Sequence, residues 1–254
     1  NGIVAKKVKG MNKRMRKLLK RLGYLFFSLF VLFQVYLSVR IYWLVSCAIP
    51  TYSMSPTLVG GDYIFASMQI PGRRIWEEDA THPGHYLIHR KEGVRRVQKK
   101  DVVVFNFPYA ENKEKMIIGD DVFYCKRCAA VPGETYQWMV NDEWRSVYLP
   151  EIGDSIRIDS INYNDYRKCI EYETESLMRM DEAGQVYLAD TLLGVYCFQH
   201  DYYFMCGDNT NDSYDSRYWG ILPDDFILGV GQIIWFSRDQ KTKQIRWNRI
   251  FKKI

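Results

Sequence analysis

The sequence predicts a mainly β domain carried behind one N-terminal transmembrane helix. Three observations predict it. An uncharged apolar run follows a cluster of cations near the N-terminus; short runs of β-branched and aromatic residues, broken by Gly, Pro, Asn and Asp, fill the remainder; long amphipathic helical patterns are scarce there. At 254 residues the chain is long enough for one large domain with a sizeable core.

Residues 1–22 form a basic arm. Nine Lys or Arg lie between Lys6 and Arg21 with no acid among them, and the rest of the chain holds 26 basic against 30 acidic residues. Such an arm suits either nucleic acid or the cytoplasmic flank of a membrane segment. The next run decides between them. Residues 23–39 carry no charge, and as a helix they would span ~26 Å, close to a hydrocarbon thickness of ~30 Å. A transmembrane helix is therefore expected over 23–40, with membrane lipid and not nucleic acid as its partner. The run is long for a cleavable signal, and Ser46-Cys-Ala48 behind it makes a weak cleavage site, so it reads as an uncleaved anchor rather than a removed signal or a core helix. The cations place the N-terminus in the cytoplasm and the rest of the chain outside. Because the first residue is Asn1 rather than Met, further residues are expected before it.

From 41 to 254 a single domain is expected, all-β in its coarse reading. Strand-like runs include Tyr63–Ala66, Val102–Phe107, Val122–Cys125, Tyr202–Met205 and Gly231–Phe236, and Pro223–Gly229 fits a turn of helix. Two stretches read as insertions. About 71–100 is charged, with a turn at His82-Pro-Gly-His85, and 135–201 alternates strand-like pieces with polar turns, which suits a separate β-ribbon lobe.

Three segments carry candidate chemistry. In Ile49-Pro-Thr-Tyr-Ser-Met-Ser-Pro-Thr-Leu58, Ser53 lies between two prolines on restrained backbone just past the anchor. In Val122-Phe-Tyr-Cys-Lys-Arg-Cys-Ala-Ala-Val-Pro-Gly133, Lys126 sits in a strand-like apolar run. Burial there would disfavour the ammonium and produce a base usable near neutrality, although a surface lysine at a strand edge is the commoner arrangement for such a segment alone. The third segment, Gly207-Asp-Asn-Thr-Asn-Asp-Ser-Tyr-Asp-Ser-Arg-Tyr-Trp-Gly220, reads as a tight loop held by side-chain hydrogen bonds, with Asp215 and Arg217 spaced to brace it.

Taken together and in order, these segments resemble the type I signal peptidases, a family of Ser–Lys membrane proteases. Lys100-Asp-Val-Val-Val-Phe-Asn-Phe-Pro108 resembles a further box of that family, and the match covers about a fifth of the chain. The resemblance implies a signal-peptidase-type β core with an inserted β-ribbon lobe, acting on the signal peptides of exported preproteins after small residues and without a cofactor. It implies Ser53 as nucleophile, Lys126 as general base, Ser213 as a hydrogen-bond partner that orients the lysine, and Thr51 as an oxyanion donor beside the Ser53 backbone N–H. Asp215, Arg217, Met54, Asp208 and Asn209 would support the site. A bacterial inner membrane, with the catalytic domain on the outer side, is the expected location. Apolar residues near the serine, Met54 and Leu58 among them, are expected to help dock on lipid. The chain departs from the family pattern at Lys100, where glycine is usual, and at Thr51, Glu134 and Asn211-Asp212. A specialised relative with one client, or a non-catalytic tethered scaffold, are the alternatives.

Other signals point elsewhere less strongly. Cys125-Lys-Arg-Cys128 has CxxC spacing, yet on a strand its sulfurs would face opposite sides, which suits small buried residues rather than a metal site. In an oxidising exterior Cys169 and Cys197 are a conceivable pair. His82, His85, His89 and His200 read as plain surface residues rather than triad members. Asn211-Asp-Ser213 matches a glycosylation acceptor, which a bacterial envelope protein would leave unused. The tail from Lys243 is basic and aromatic and suits either lipid headgroups or a last strand.

Overall fold

The computed structural model describes residues 13–78, 86–109, 114–118, 122–140 and 142–254, and the expected turn at His82–His85 lies outside them. The chain divides after Trp43 into two compact units. The first is a helix, α1 (Lys13–Tyr42), whose stretch Met15–Val39 has a mean hydropathy of 1.9 and is long and apolar enough to cross a membrane. Leu25, Phe26, Phe27, Phe30 and Phe33 on it are all exposed. The helix is longer than the 23–40 expected, because Lys, Arg and Leu are good helix formers and carry the coil back through the basic arm.

The second unit, Leu44–Ile254, is mainly β. In chain order it holds β1 (Leu44–Ala48), β2 (Asp62–Ser67), β3 (Arg74–Glu78), β4 (Tyr86–Arg90), β5 (Val102–Asn106), β6 (Phe123–Ala130), β7 (Thr135–Val140), β8 (Glu143–Tyr148) and β9 (Ser155–Arg157). Helix α2 (Tyr163–Thr174) follows, then β10 (Met178–Met180), β11 (Val186–Leu188), β12 (Thr191–Leu192), β13 (Val195–Cys197) and β14 (Tyr202–Cys206). The last part comprises α3 (Ser216–Trp219), β15 (Leu222–Pro223), a 3-10 turn (Asp224–Phe226), β16 (Ile227–Ser237), a second 3-10 turn (Trp247–Arg249) and β17 (Lys252–Lys253).

An antiparallel sheet in the order β1-β2-β16-β5-β6-β14-β15, with β17 also on β16, forms the frame. Its long strand β16 pairs with β2, β5 and β17, and register shifts along it bend the sheet. Strand β5 is buried throughout, and its alternation shows why. Val103 and Phe105 join a large apolar cluster while Val102 and Val104 join a smaller one with Ile49, Met54, Leu58, Ile64 and Ile234. Side chains of period two supply both faces, so the sheet is covered on each side.

Several expectations change here. The 71–100 stretch is less detached than it reads: Val97 belongs to the large cluster, and the β3–β4 hairpin is tied down by two arginines. Arg90 donates to the carbonyls of Gly72 at 2.6 Å and Ile227 at 2.8 Å, and Arg74 donates to Asp225 O and to Asn106 Oδ1. The 135–201 stretch contains the β7–β8 ribbon, but also α2, which corrects the all-β reading. Its Tyr166, Cys169 and Ile170 fall at i, i+3 and i+4 and bury one narrow stripe against the large cluster. Cys169 and Cys197 are both free thiols, the first buried and the second exposed, which removes the conceivable disulfide. His200 is not a plain surface residue either. Its ring lies between Asp224, 3.2 Å from Nδ1, and Asp225, 3.4 Å from Nε2.

Lys100, the position where glycine would be usual in the resembled box, has φ 75°, and its N–H donates to Cys128 O at 2.9 Å. A side chain in this left-handed region costs ~1 kcal/mol or more. Lys100→Gly is expected to stabilise the protein by about 0.5–1 kcal/mol after the greater freedom of unfolded glycine is subtracted, which a denaturant melt would register as a higher midpoint at unchanged slope.

Candidate active site

The loop that carries Ser53 is built by burying its neighbours. Met54 and Leu58 are 1% and 0% exposed and fill the smaller cluster, while Ser53 itself is half-buried beside them. This corrects the expected lipid contact: the two side chains face inward and hold the loop in place. The turn is closed by Ser55 N–H donating to Tyr52 O and Leu58 N–H to Met54 O. The Ser55–Pro56 bond is cis.

A second anchor is Asp62, fully buried at the start of β2. Its carboxylate accepts from Val59 N–H, from Ser237 Oγ at 2.6 Å and from Arg249 Nη2 at 2.7 Å. Arg249 also donates to Thr57 O at 2.8 Å, so a residue near the C-terminus grips the serine loop directly. Burial pushes the Asp62 carboxyl up, but the hydrogen bonds from Arg249 and Ser237 outweigh it and hold its pKa below the usual range.

Lys126 lies mid-strand on β6, opposite Val103, and is 2% exposed. The sheet register turns it inward, which rejects the strand-edge surface arrangement. Its Nζ donates to Ser53 Oγ at 2.6 Å. Burial lowers its pKa, opposed in part by the negative charge of Asp215. A lysine so placed sheds its proton at lower pH than a free one, and the same short contact then lets the serine hydroxyl donate to the amine.

The third segment wraps these two. Asn209 N–H donates to Ser53 O at 3.0 Å and its side-chain amide to Tyr52 O at 3.3 Å. Asp208 receives two hydrogen bonds of 2.6 Å from Arg127. Arg127 also donates to Thr57 Oγ1 and to Lys100 O, and so links the lysine strand, the serine loop and the last loop. Asp215 is fully buried, paired twice with Arg217 at 2.8 Å, and accepts Gly207 N–H at 2.9 Å. The expected Asp215–Arg217 salt bridge therefore forms.

Two expected contacts are looser. Thr51 Oγ1 is 3.4 Å from Ser53 Oγ, on the exposed side. Ser213 is buried against Gly207, but its hydroxyl makes no hydrogen bond within the protein, so the structure does not join it to Lys126. Burial pushes the Asp215 carboxyl up, but the hydrogen bonds from Arg217 and Gly207 N–H outweigh it and hold its pKa low, and Ser213 lies near enough to add to them.

A cavity of about 250 Å³ opens beside the pair, lined by Cys47, Ala48, Ile49, Val104 and Cys125 as well as Ser53 and Lys126. Burial pushes the Cys47 thiol up to about 11 and the Cys125 thiol up to about 12, so both walls are neutral. Cys125 packs on the smaller cluster and Cys128 in the larger one, on opposite faces as the strand spacing requires. Among the described residues, His200, Asp224 and Asp225 are close enough together to hold a metal ion. Each imidazole nitrogen faces a different carboxylate, however, which is the arrangement of a clamped imidazolium. Arg127, Thr57 and Arg249 carry little sequence signal as site residues: Arg127 and Thr57 lie inside the candidate segments among more conspicuous neighbours, and Arg249 sits in the basic tail far from them.

Comparison with known proteins gives the chain a family. Residues 19–236 match the family described as signal peptidase, peptidase S26. The chain is 25% identical over 242 residues to signal peptidase I of Aquifex aeolicus (strain VF5), covering 83% of this chain and 82% of the relative. It is 28% identical over 227 residues to signal peptidase I of Pseudomonas fluorescens, covering 83% and 71%. With signal peptidase I of Rickettsia typhi (strain ATCC VR-144 / Wilmington) it shares 26% over 247 residues, covering 94% and 88%.

Proposed function

The chain belongs to the signal peptidase family, peptidase S26, and on that premise we propose that it is a membrane-bound serine endopeptidase that removes N-terminal signal peptides from exported preproteins. The observation that carries this reading is the 2.6 Å contact between Ser53 Oγ and the buried Lys126 Nζ. Neutral Lys126 takes the hydroxyl proton as Ser53 Oγ attacks the scissile carbonyl carbon. The oxyanion is held by Ser53 N–H and the Thr51 hydroxyl. The Lys126 ammonium then gives its proton to the leaving amine, which frees the mature chain and leaves the signal peptide as an acyl ester on Ser53. Water, deprotonated by Lys126, hydrolyses that ester. Ser213, buried beside Gly207 with an uncommitted hydroxyl, steadies the lysine. Met54, Asp208, Asn209, Asp215 and Arg217 keep the three loops in register.

The cavity walled by Cys47, Ala48 and Cys125 is neutral and modest in size, which supports small residues before the cut. We place α1 across a bacterial inner membrane with the N-terminus in the cytoplasm, because cations flank its N-terminal end. The test is cleavage of a preprotein with an Ala-x-Ala site by the detergent-solubilised protein. Wild type is expected to cut after the second alanine, and Ser53→Ala, folded to the same melting temperature, to lose the activity. Full processing by Ser53→Ala would sink the mechanism.

A further inference from the structure

Strand β6 changes neighbours midway along its length. It pairs with β5 from Phe123 to Arg127, but β14 joins its other edge only at Arg127 and beyond. Among the described residues, Phe123–Lys126 therefore has no strand on the edge away from β5, and that open stretch ends at the Lys126 contact with Ser53. Neighbouring side chains on it face opposite ways. Cys125 points to the smaller apolar cluster and walls the cavity at Ser53, whereas Tyr124 packs on the larger cluster.

A second cavity, of about 460 Å³, opens on the Tyr124 side. It shares Val122 and Tyr124 with the cavity at Ser53, and rings form most of its wall: Phe107, Tyr109, Tyr124, Tyr214, Tyr218 and Trp219. Lys168 completes the lining, its Nζ 4.4 Å from the Tyr109 ring. Tyr124 stacks on Phe107 with centroids 4.5 Å apart, Phe107 meets Tyr214 at 6.1 Å, and Tyr214 stacks on Tyr218 at 5.7 Å. Tyr214 and Tyr218 are nevertheless 52% and 65% exposed, so part of each ring is open to a guest. Rings already held by one another lose little freedom when a further apolar group meets them.

Resting on the peptidase reading above, we propose that this aromatic cavity is a subsite for the preprotein side chain two residues before the cut, and that it favours an aromatic group there. A preprotein segment laid along the open edge of β6 as an added strand turns alternate side chains to opposite faces. The small residues one and three before the cut enter the cavity walled by Cys125. The side chain between them points to the other face, where Tyr124 stands and the aromatic cavity begins. Because the two cavities share Val122 and Tyr124, they flank the same stretch of the bound chain. Tyr214 and Tyr218 are then specificity-determining residues outside the catalytic pair.

The experiment uses the full chain in detergent and preproteins with one Ala-x-Ala cut, in which x is Phe or Gln. The readout is the ratio of kcat/KM for Phe to that for Gln within each enzyme, so a general loss of activity cancels. Wild type is expected to favour Phe by about tenfold, the scale of one aromatic contact. Tyr214→Ala should bring the ratio to about twofold or less, while Tyr214→Phe, which keeps the ring, should preserve it. Tyr218→Ala removes the facing ring and gives the same loss should Tyr214→Ala fail to fold. A second series places Phe or Gln directly after the cut, where no preference is expected. A wild-type ratio near one, a ratio that survives both alanine variants, or a preference confined to the second series would overturn the subsite and leave the peptidase reading intact. Failure of wild type to cut any of these preproteins would overturn the peptidase reading, and this one with it.

Discussion

Lys126→Met is expected to lower kcat by about 10⁴-fold while making the protein more stable. On the proposed mechanism the rate falls because the buried base in contact with Ser53 Oγ is removed, and Met has no proton acceptor of comparable strength. Stability rises because folding no longer has to desolvate an ammonium, the main cause of the lysine's lowered pKa. An apolar replacement of similar volume at such a site gains about 1–3 kcal/mol. The sign with pH follows from proton counting. The unfolded lysine holds its proton up to ~10.4, whereas the folded one releases it at lower pH. In that window the unfolded state binds more protons, so wild-type stability climbs with pH. The advantage of Lys126→Met should therefore be greatest below the folded pKa and shrink as pH approaches the unfolded value. Wild-type kcat/KM should rise with pH through the same folded pKa. Calorimetric melts at several pH values beside a cleavage assay measure both effects; a variant that is slow and also less stable at every pH would contradict the buried-charge argument.

Gly207→Ala is expected to damage activity and stability together. A Cβ there would overlap Ser213 Oγ and lie 2.6 Å from both Ser213 Cβ and the Ser53 carbonyl oxygen. The Ser213 hydroxyl can turn away, but Ser213 Cβ cannot, and the Ser53 carbonyl belongs to the backbone of the serine loop, where Asn209 N–H also holds it. The overlap has to move the serine loop against the last loop. Overpacking of this kind costs about 1–3 kcal/mol, and displacing a reacting group by ~1 Å costs on the order of 100-fold in rate. The double change Gly207→Ala with Ser213→Gly separates the two contacts: it should recover part of the melting temperature and little of the rate. A wild-type rate in Gly207→Ala would mean that the loops do not meet as closely as described.

Much of the architecture is legible in local sequence. The uncharged run after Arg21 announces α1, and runs such as Val102–Phe107 announce strands, because hydrophobic length and β-branched composition are properties of short segments. Helix α2 is not legible, since only Tyr166, Cys169 and Ile170 mark its buried stripe among polar neighbours. The three candidate segments stand out one by one, and only their order suggests that they belong together. What brings Lys126 and Ser53 into contact is long-range pairing through β5, β16 and β2, and no periodicity records that. Met54 shows the same limit. Its inward orientation depends on Val104 and Ile234 arriving from elsewhere in the chain, so an apolar residue past a membrane segment reads equally well as a lipid contact. Arg127 and Arg249 look like ordinary surface cations until Asp208 and Asp62 are placed beside them.

The grip of Arg249 on Thr57 and Asp62 has a temporal consequence. The two ends of that clasp are separated by 192 residues of chain. During synthesis the loop that bears Ser53 leaves the ribosome well before its brace, which follows β16, on which β2 depends. Closing so long a loop costs entropy that only the completed sheet repays. The Ser53 loop therefore reaches its final position only after the β16 end of the sheet is in place, so alignment of Ser53 with Lys126 is one of the later events of folding.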